Sequence, residues 1–329
     1  MTKFFYLIPE QHPVRNDGES YFAYLKRRMF GGKKQLPSGG VKIIYQHCDI
    51  LNRNGYSAIP VHLGDFTVDW FPHQSQPMNL PEALRLMNES DVLICPEVVA
   101  HLATDFPRMN KIAFIQAWSL AELRTGPDKR YEDLGFGRLL SCSHYVQDYM
   151  KPRSSLSCDV VVNGIDLSVF HPRGRRENGR KVVVLNRRNI ADAQEAMGML
   201  GQAAEEVEFS ILDNRYTQAQ IADLFRQADI FIAIGYPEGF ALPPLEAMAC
   251  GCAVVGFTGG GGGEHMIDGE TAVVAADGDV KELADALTAV IADPELKEHV
   301  RAGGINKAQQ FSLANMEQQL LRFADSICA

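Results

Sequence analysis

Two glutamates, Glu238 and Glu246, stand eight positions apart in the segment PEGFALPPLEAMACG, residues 237–251. A carboxylate accepts hydrogen bonds from vicinal hydroxyls, which ribose and hexoses both offer. It also repels phosphate, so an acid beside an anion pocket must face something else. The residues between the glutamates describe such a pocket. A helix starting near Pro243 tolerates Pro243 and Pro244 in its first turn, where the missing N–H has no helical partner. The amides of Phe240, Ala241, Leu242 and Leu245 remain as donors, Gly239 permits close backbone approach, and the helix dipole favours negative charge. One acid for a sugar and one for a ribose, with a diphosphate between them, describes a nucleotide-sugar. Taken singly, each acid has a plainer reading. Glu246 gains roughly 0.3–1 kcal/mol from the dipole of its own helix, and Glu238 is an exposed loop acid. Gly-Phe-Ala-Leu-Pro enclosed by the pair favours the ligand.

The surrounding elements fit that use. In the carboxyl half, apolar strands at 181–185, 207–212, 229–234 and 252–257 alternate with helices at 191–204, 218–227 and 280–291. Short continuous apolar strands separated by amphipathic helices predict a parallel sheet covered on both faces. The amino half repeats the rhythm less regularly, with strands at 4–8, 56–61, 91–95, 112–115 and 139–142. A helix over 41–53 opens behind Gly39-Gly40 and stops at Asn54-Gly55. Strand, loop and helix N-terminus in that order build the ligand crevice of an open parallel sheet. A long polar and basic loop, 11–38, precedes the helix and has the length of a functional or mobile segment. The halves meet near Val161–Asp166, where Asn163-Gly164 marks a turn.

Composition narrows the partners. With 46% hydrophobic and 22% charged residues the chain is a globular one with ample core, and no apolar run approaches a membrane span. The net charge of −9 argues against nucleic acid. Residues 1–163 carry 18 basic and 17 acidic residues and the remainder 14 and 24, so the acidity belongs to the carboxyl half. The basic run Lys26–Lys34 is read as a solvated loop, with an anionic acceptor or membrane surface as the sharper alternative. Seven scattered cysteines without a CxxC pair, and a first apolar burst too short for an export signal, point to the reducing cytosol and away from structural zinc.

The stretch 228–279 resembles the donor-binding core of retaining family 4 glycosyltransferases of the GT-B fold, with Glu238 and Glu246 on the family's E-x7-E motif. VVNGID at 161–166 resembles a junction signature of that family, and Gly39-Gly40 with 50–61 its first glycine loop, helix and second strand. The resemblance implies two Rossmann-like domains facing a central cleft. An amino-terminal acceptor domain spans 1–163, a donor domain 164–310, and a terminal helix, 311–329, crosses back. It implies transfer of a sugar from a nucleotide-diphosphate donor to a glycan, lipid-linked or small-molecule acceptor hydroxyl, with retention and without a metal or other cofactor. Glu238 would contact the sugar and Glu246 the ribose. The amides of Gly239, Phe240, Ala241 and Leu242 would hold the sugar and diphosphate, with Gly39 and Gly40 opposite. A cytoplasmic location, peripheral to the inner membrane face through Lys26–Lys34, follows from the same reading.

The chain departs from the family pattern in one place that matters. An arginine and, five residues on, a lysine are expected on the phosphates. Here Arg187 and Arg188 are present, but their fifth followers are Asp192 and Ala193. The two arginines would share the task, or one would form a surface salt bridge with Asp192. On the acceptor side, Glu97, His101 and Trp118 are the candidates, with structural roles as their plainer reading. Asp277-Gly278-Asp279 spells a metal-type motif but reads as a surface turn, and Gly259–Gly263 as a loop or flap that closes over the donor. Two other functions stay open, a nucleotide-sugar binding protein without turnover and a sugar-nucleotide epimerase. A dinucleotide dehydrogenase is disfavoured, because no GxGxxG follows the first strand, where Phe4–Ile8 leads into Pro9-Glu10-Gln11.

Overall fold

The computed structural model describes residues 2–10, 37–106, 109–122, 125, 129–173, 180–213 and 216–328. The basic run Lys26–Lys34 and most of the loop 11–38 lie outside these residues.

The amino lobe is one parallel sheet. Its strands are β1 (Lys3–Ile8), β2 (Ser57–His62), β3 (Met78–Asn79), β4 (Val92–Pro96), β5 (Asn110–Ile115), β6 (Arg138–Ser141) and β7 (Cys158–Val160), in the order β3-β2-β1-β4-β5-β6-β7. The order reverses between β1 and β4, so loops leaving their carboxyl ends part there and open a crevice. Helix α1 (Gly39–Arg53) starts at that crevice. The side chain of its N-cap Ser38 accepts no capping hydrogen bond and its first turn holds no acid, so among the described residues no negative group compensates the positive end of the dipole. The short β3 and β7, and the helices α2 (Leu80–Leu86) and α3 (His144–Met150), carry too few residues for a periodic signal.

The carboxyl lobe has strands β8 (Lys181–Leu185), β9 (Glu208–Leu212), β10 (Ile230–Ala233), β11 (Ala253–Gly256) and β12 (Val273–Val274), ordered β12-β11-β10-β8-β9 and all parallel. Here the order reverses between β8 and β10. Side chains alternate faces: Val182, Val184, Ile230 and Ile232 belong to one apolar cluster, Val183, Phe231 and Ala233 to the other. Both faces are covered, as continuous apolar strands require. Helices α4 (Ile190–Met199), α5 (Gln218–Gln227), α6 (Leu242–Ala249), α7 (Val280–Ala292) and α8 (Pro294–Ala308) supply the cover. The helix expected over 191–204 ends at Met199. Gly201 takes φ of +53° and a 3-10 turn, Gly201–Glu206, follows.

The chain crosses between lobes twice at one place. The Ile165 amide donates to Phe311 O at 2.8 Å, and the Leu313 amide to Ile165 O at 3.1 Å. Helix α9 (Leu313–Cys328) then lies on the amino lobe. Its Met316, Leu320, Phe323 and Ala324 are buried on one face, and Glu317 pairs with Arg53 while Tyr56 bonds to Asp325. No helix among the described residues is long and apolar enough to cross a membrane.

Candidate active site

The two switch points face each other across a cleft. Leaving β8, the chain reaches Arg187 and Arg188; leaving β10, it reaches Glu238 and then α6, whose N-cap Ala241 has φ of 60°. One chamber of the cleft is lined by Glu97, His101 and Gln116 from the amino lobe and by Arg188 and Glu238 from the carboxyl lobe. A second chamber holds Lys42, Trp70, Phe170, Asp213, Tyr216 and Glu246. Ser38, Gly39, Arg187, Leu242 and Pro243 line both chambers. The two glutamates therefore occupy different ends of one cleft. The uncapped end of α1 and the Arg187 guanidinium lie where the ends join.

Within the first chamber, Arg188 Nη2 donates to Glu238 Oε1 at 3.1 Å. No salt bridge to Asp192 occurs among the described residues; Asp192 accepts from Tyr236 Oη at 2.8 Å. That acid stands in the slot where a phosphate-binding lysine was expected and is held by another partner. Within the second chamber, Lys42 Nζ donates to Glu246 Oε1 at 2.6 Å, and both residues are buried. Sequence reasoning missed Lys42. Its partner is 204 positions away, so spacing carries no trace of the pair. The available signal was a lysine inside the apolar run Val41–Tyr45, all of which is buried.

Glu97 is buried, and its two oxygens accept from the amides of Gln116 at 3.1 Å and Ala117 at 3.0 Å. Its carboxylate braces the loop after β5 while the residue lines the chamber. Burial raises its pKa to about 7, opposed by the backbone donors. The native state thus holds this proton up to about pH 7, whereas the unfolded chain releases it near 4.5. Stability from this group is present at low pH and is lost as pH rises from about 5 to 7, by an amount on the order of 2–3 kcal/mol. Melting curves across pH 5–8 should show wild type losing stability relative to Glu97→Gln as pH rises through that window. Parallel curves would remove the titration from Glu97.

Three expectations are corrected. Trp118 does not line the acceptor chamber. Its indole Nε1 donates to Gly259 O at 3.2 Å and its ring lies against Tyr145 and Tyr149, so it joins the lobes. Gly239 admits protein backbone rather than ligand: a Cβ there would lie 2.0 Å from Gln116 O. The Gly239 carbonyl accepts from Ser143 Oγ at 2.6 Å, the Phe240 ring packs on His265 and Phe311, and Ala241 and Leu242 line the cleft. Gly259–Gly263 packs beneath the Glu238 loop instead of over the cleft. Glu238 N donates to Gly259 O at 2.8 Å, Gly261 N to Glu238 O at 3.1 Å, and a Cβ on Gly261 would meet Gly239 O at 2.0 Å. Asp277 Oδ1 accepts from Gly259 N at 3.0 Å and Asp279 caps α7, so both have structural partners. No group of three or more potential metal-ligating His, Cys, Asp or Glu residues occurs among the described residues.

Residues 205–307 match the family model described as Glycosyl transferases group 1. The match covers β9 through α8 and includes both glutamates. D-inositol 3-phosphate glycosyltransferase of Pseudarthrobacter chlorophenolicus is 26% identical over 208 residues, 51% of this chain and 48% of that protein. The chain spans at most about half the length of the curated relatives it matches. Among solved structures, sucrose-phosphate synthase from Thermosynechococcus elongatus superimposes with a TM-score of 0.71 over 99% of both chains at 13% identity. HepE of Anabaena, in complex with UDP-glucose, gives 0.70 at 14% identity, covering 99% of this chain and all of that one. The fold is GT-B.

Proposed function

We propose that this chain transfers a sugar from a nucleotide-diphosphate donor to an acceptor hydroxyl, with retention at the anomeric carbon and without a metal. The carrying observation is the placement of Glu238 and Glu246 in separate chambers that share the α1 N-terminus and Arg187. In this reading the sugar lies against Glu238, the ribose against Glu246, and the diphosphate at the shared segment. Phosphate suits that segment because a helix N-terminus and a guanidinium both favour anions. Leaving-group charge is stabilised by these fixed donors, which act without reorganising as the bond breaks. The acceptor enters beside Glu97 and His101. The HepE complex and the transferase relatives agree with a nucleotide-sugar as donor. The reading also keeps the protein in the cytoplasm, with Lys26–Lys34 available to an anionic acceptor or membrane face.

The test is a panel of UDP-, GDP- and ADP-sugars, first by thermal shift and then by release of nucleoside diphosphate with and without acceptor. A matching donor at about 100 times its Kd stabilises the fold by roughly 2.7 kcal/mol. Release of nucleoside diphosphate that requires acceptor and survives chelation by EDTA is the expected result. Conversion of donor alone, seen by NMR, would make the protein an epimerase. Binding with no turnover would make it a nucleotide-sugar binding protein, the reading favoured by Asp192 in place of lysine.

A further inference from the structure

The Lys42–Glu246 pair is an unusual use of a charge. Lys42 is 5% exposed and Glu246 8%, so both have shed most of their water. Such a pair is a poor source of stability, since desolvation consumes most of its attraction. The Lys42 ammonium carries three donors, yet Glu246 Oε1 is its one hydrogen-bond partner among the described residues. The Phe170 ring covers it at 5.4 Å from the centroid. Among the described residues the other two donors of this buried cation have no protein partner, and Lys42 lines the chamber together with Glu246 and Arg187. The pair also joins the lobes, with Lys42 one turn into α1 behind Gly39 and Glu246 on α6.

We propose that Lys42 is a donor-site residue: it supplies, from the amino lobe, a cation to the phosphate–ribose segment of a nucleoside diphosphate. It thereby takes the part for which the carboxyl lobe has no lysine five residues after Arg187 or Arg188. The inference rests on the nucleotide-sugar reading above and adds a residue to it. Glu246 holds the ammonium in place and balances its charge. An arriving diphosphate oxygen completes the shell of the ammonium, while the ribose hydroxyls meet the second carboxylate oxygen. Because Lys42 moves with the amino lobe, the same contact ties the closed arrangement of the lobes to the bound diphosphate.

Removing either partner strands the buried charge of the other, so Lys42→Met is read in the Glu246→Gln background, where it restores neutrality: Glu246→Gln is compared with Lys42→Met/Glu246→Gln in the full chain. Calorimetry with uridine and UDP, guanosine and GDP, and adenosine and ADP reads the preference for diphosphate over nucleoside. Adding Lys42→Met should weaken the preferred diphosphate at least tenfold and the matching nucleoside less than threefold. Equal losses for both, or no loss, would overturn the role. The wild type gives a second readout that does not depend on the variants folding. In a crystal of its nucleoside diphosphate complex, Nζ should lie within hydrogen-bonding distance of a phosphate or phosphate-ester oxygen, and a separation beyond about 4 Å would overturn the proposal. If wild type binds no nucleoside diphosphate more tightly than its nucleoside, the nucleotide-sugar reading itself fails and Lys42 with it. If wild type shows the preference and the double variant keeps it, Lys42 alone is wrong.

Discussion

Glu238→Gln should keep the fold and lose sugar transfer by about 10²–10³-fold, the cost of removing one fixed partner of the transition state. The side chain is one-fifth exposed and carries a single described ion pair, to Arg188, so the isosteric change leaves the core untouched. Its backbone is held independently of the carboxylate, by Glu238 N on Gly259 O and by Gly261 N on Glu238 O. The loss should fall on kcat. The dissociation constant of the nucleoside diphosphate should stay within about threefold, because the second chamber does not include Glu238. Steady-state rates with the best donor of the panel, alongside calorimetry of its nucleoside diphosphate, separate the two quantities. A variant with kcat within a factor of three of wild type would remove Glu238 from the reacting end of the cleft. An equal fall in nucleoside diphosphate affinity would place it on the wrong substrate moiety.

Gly239→Ala is the second large effect, and it reaches the site through the junction of the lobes. The new methyl would sit 2.0 Å from Gln116 O and 2.8 Å from its carbonyl carbon. Neither atom can yield easily, because Glu97 fixes the amides of Gln116 and Ala117, and Ser143 fixes Gly239 O from the other side. The lobes must separate or the Glu238 loop must shift. Overpacking of this kind costs about 1–3 kcal/mol, or several degrees in Tm at this chain length. Activity should fall by more than about a hundredfold, since a displacement near 1 Å suffices for that. Gly263→Ala is the internal control: its Cβ meets nothing within 4 Å and its φ is not positive. If Gly239→Ala melts and turns over like Gly263→Ala, the close approach of the lobes is not required.

The strands of both lobes were readable because a parallel sheet buried on two faces leaves continuous apolar runs. Phe4–Ile8 and Lys181–Leu185 are such runs, and both form strands. Helix α5 was equally plain, with Ile221, Leu224 and Phe225 on one face and the Thr217–Gln220 capping box ahead of them. Its neighbour α4 was overextended because Ala203 and Ala204 continue a helical composition past Gly201, whose positive φ interrupts it. The acid pair was legible for a local reason. Eight residues carry Glu238 from the end of β10 to Glu246 on α6, so sequence order and spatial order coincide.

Trp118, Gly239 and the five-glycine loop were misplaced for the opposite reason. A tryptophan after a strand, or a run of glycines beside an acid, has the same composition whether it meets a ligand or another part of the protein. Gly239 and Gly261 are small because backbone crosses them, and the crossing atoms come from Gln116 and from Gly239 itself. The sequence by itself determined the two parallel sheets, the crevice at the end of each, and the local segment that carries Glu238 and Glu246, since these depend on periodicity and on neighbours along the chain. Only the tertiary structure decided which groups face one another across the cleft. Lys42 with Glu246 is a contact between the lobes, while Glu97 with the Gln116–Ala117 amides and Asp192 with Tyr236 join loops of neighbouring strands within one lobe; all three bring together segments distant in the chain, so neither periodicity nor local spacing records them.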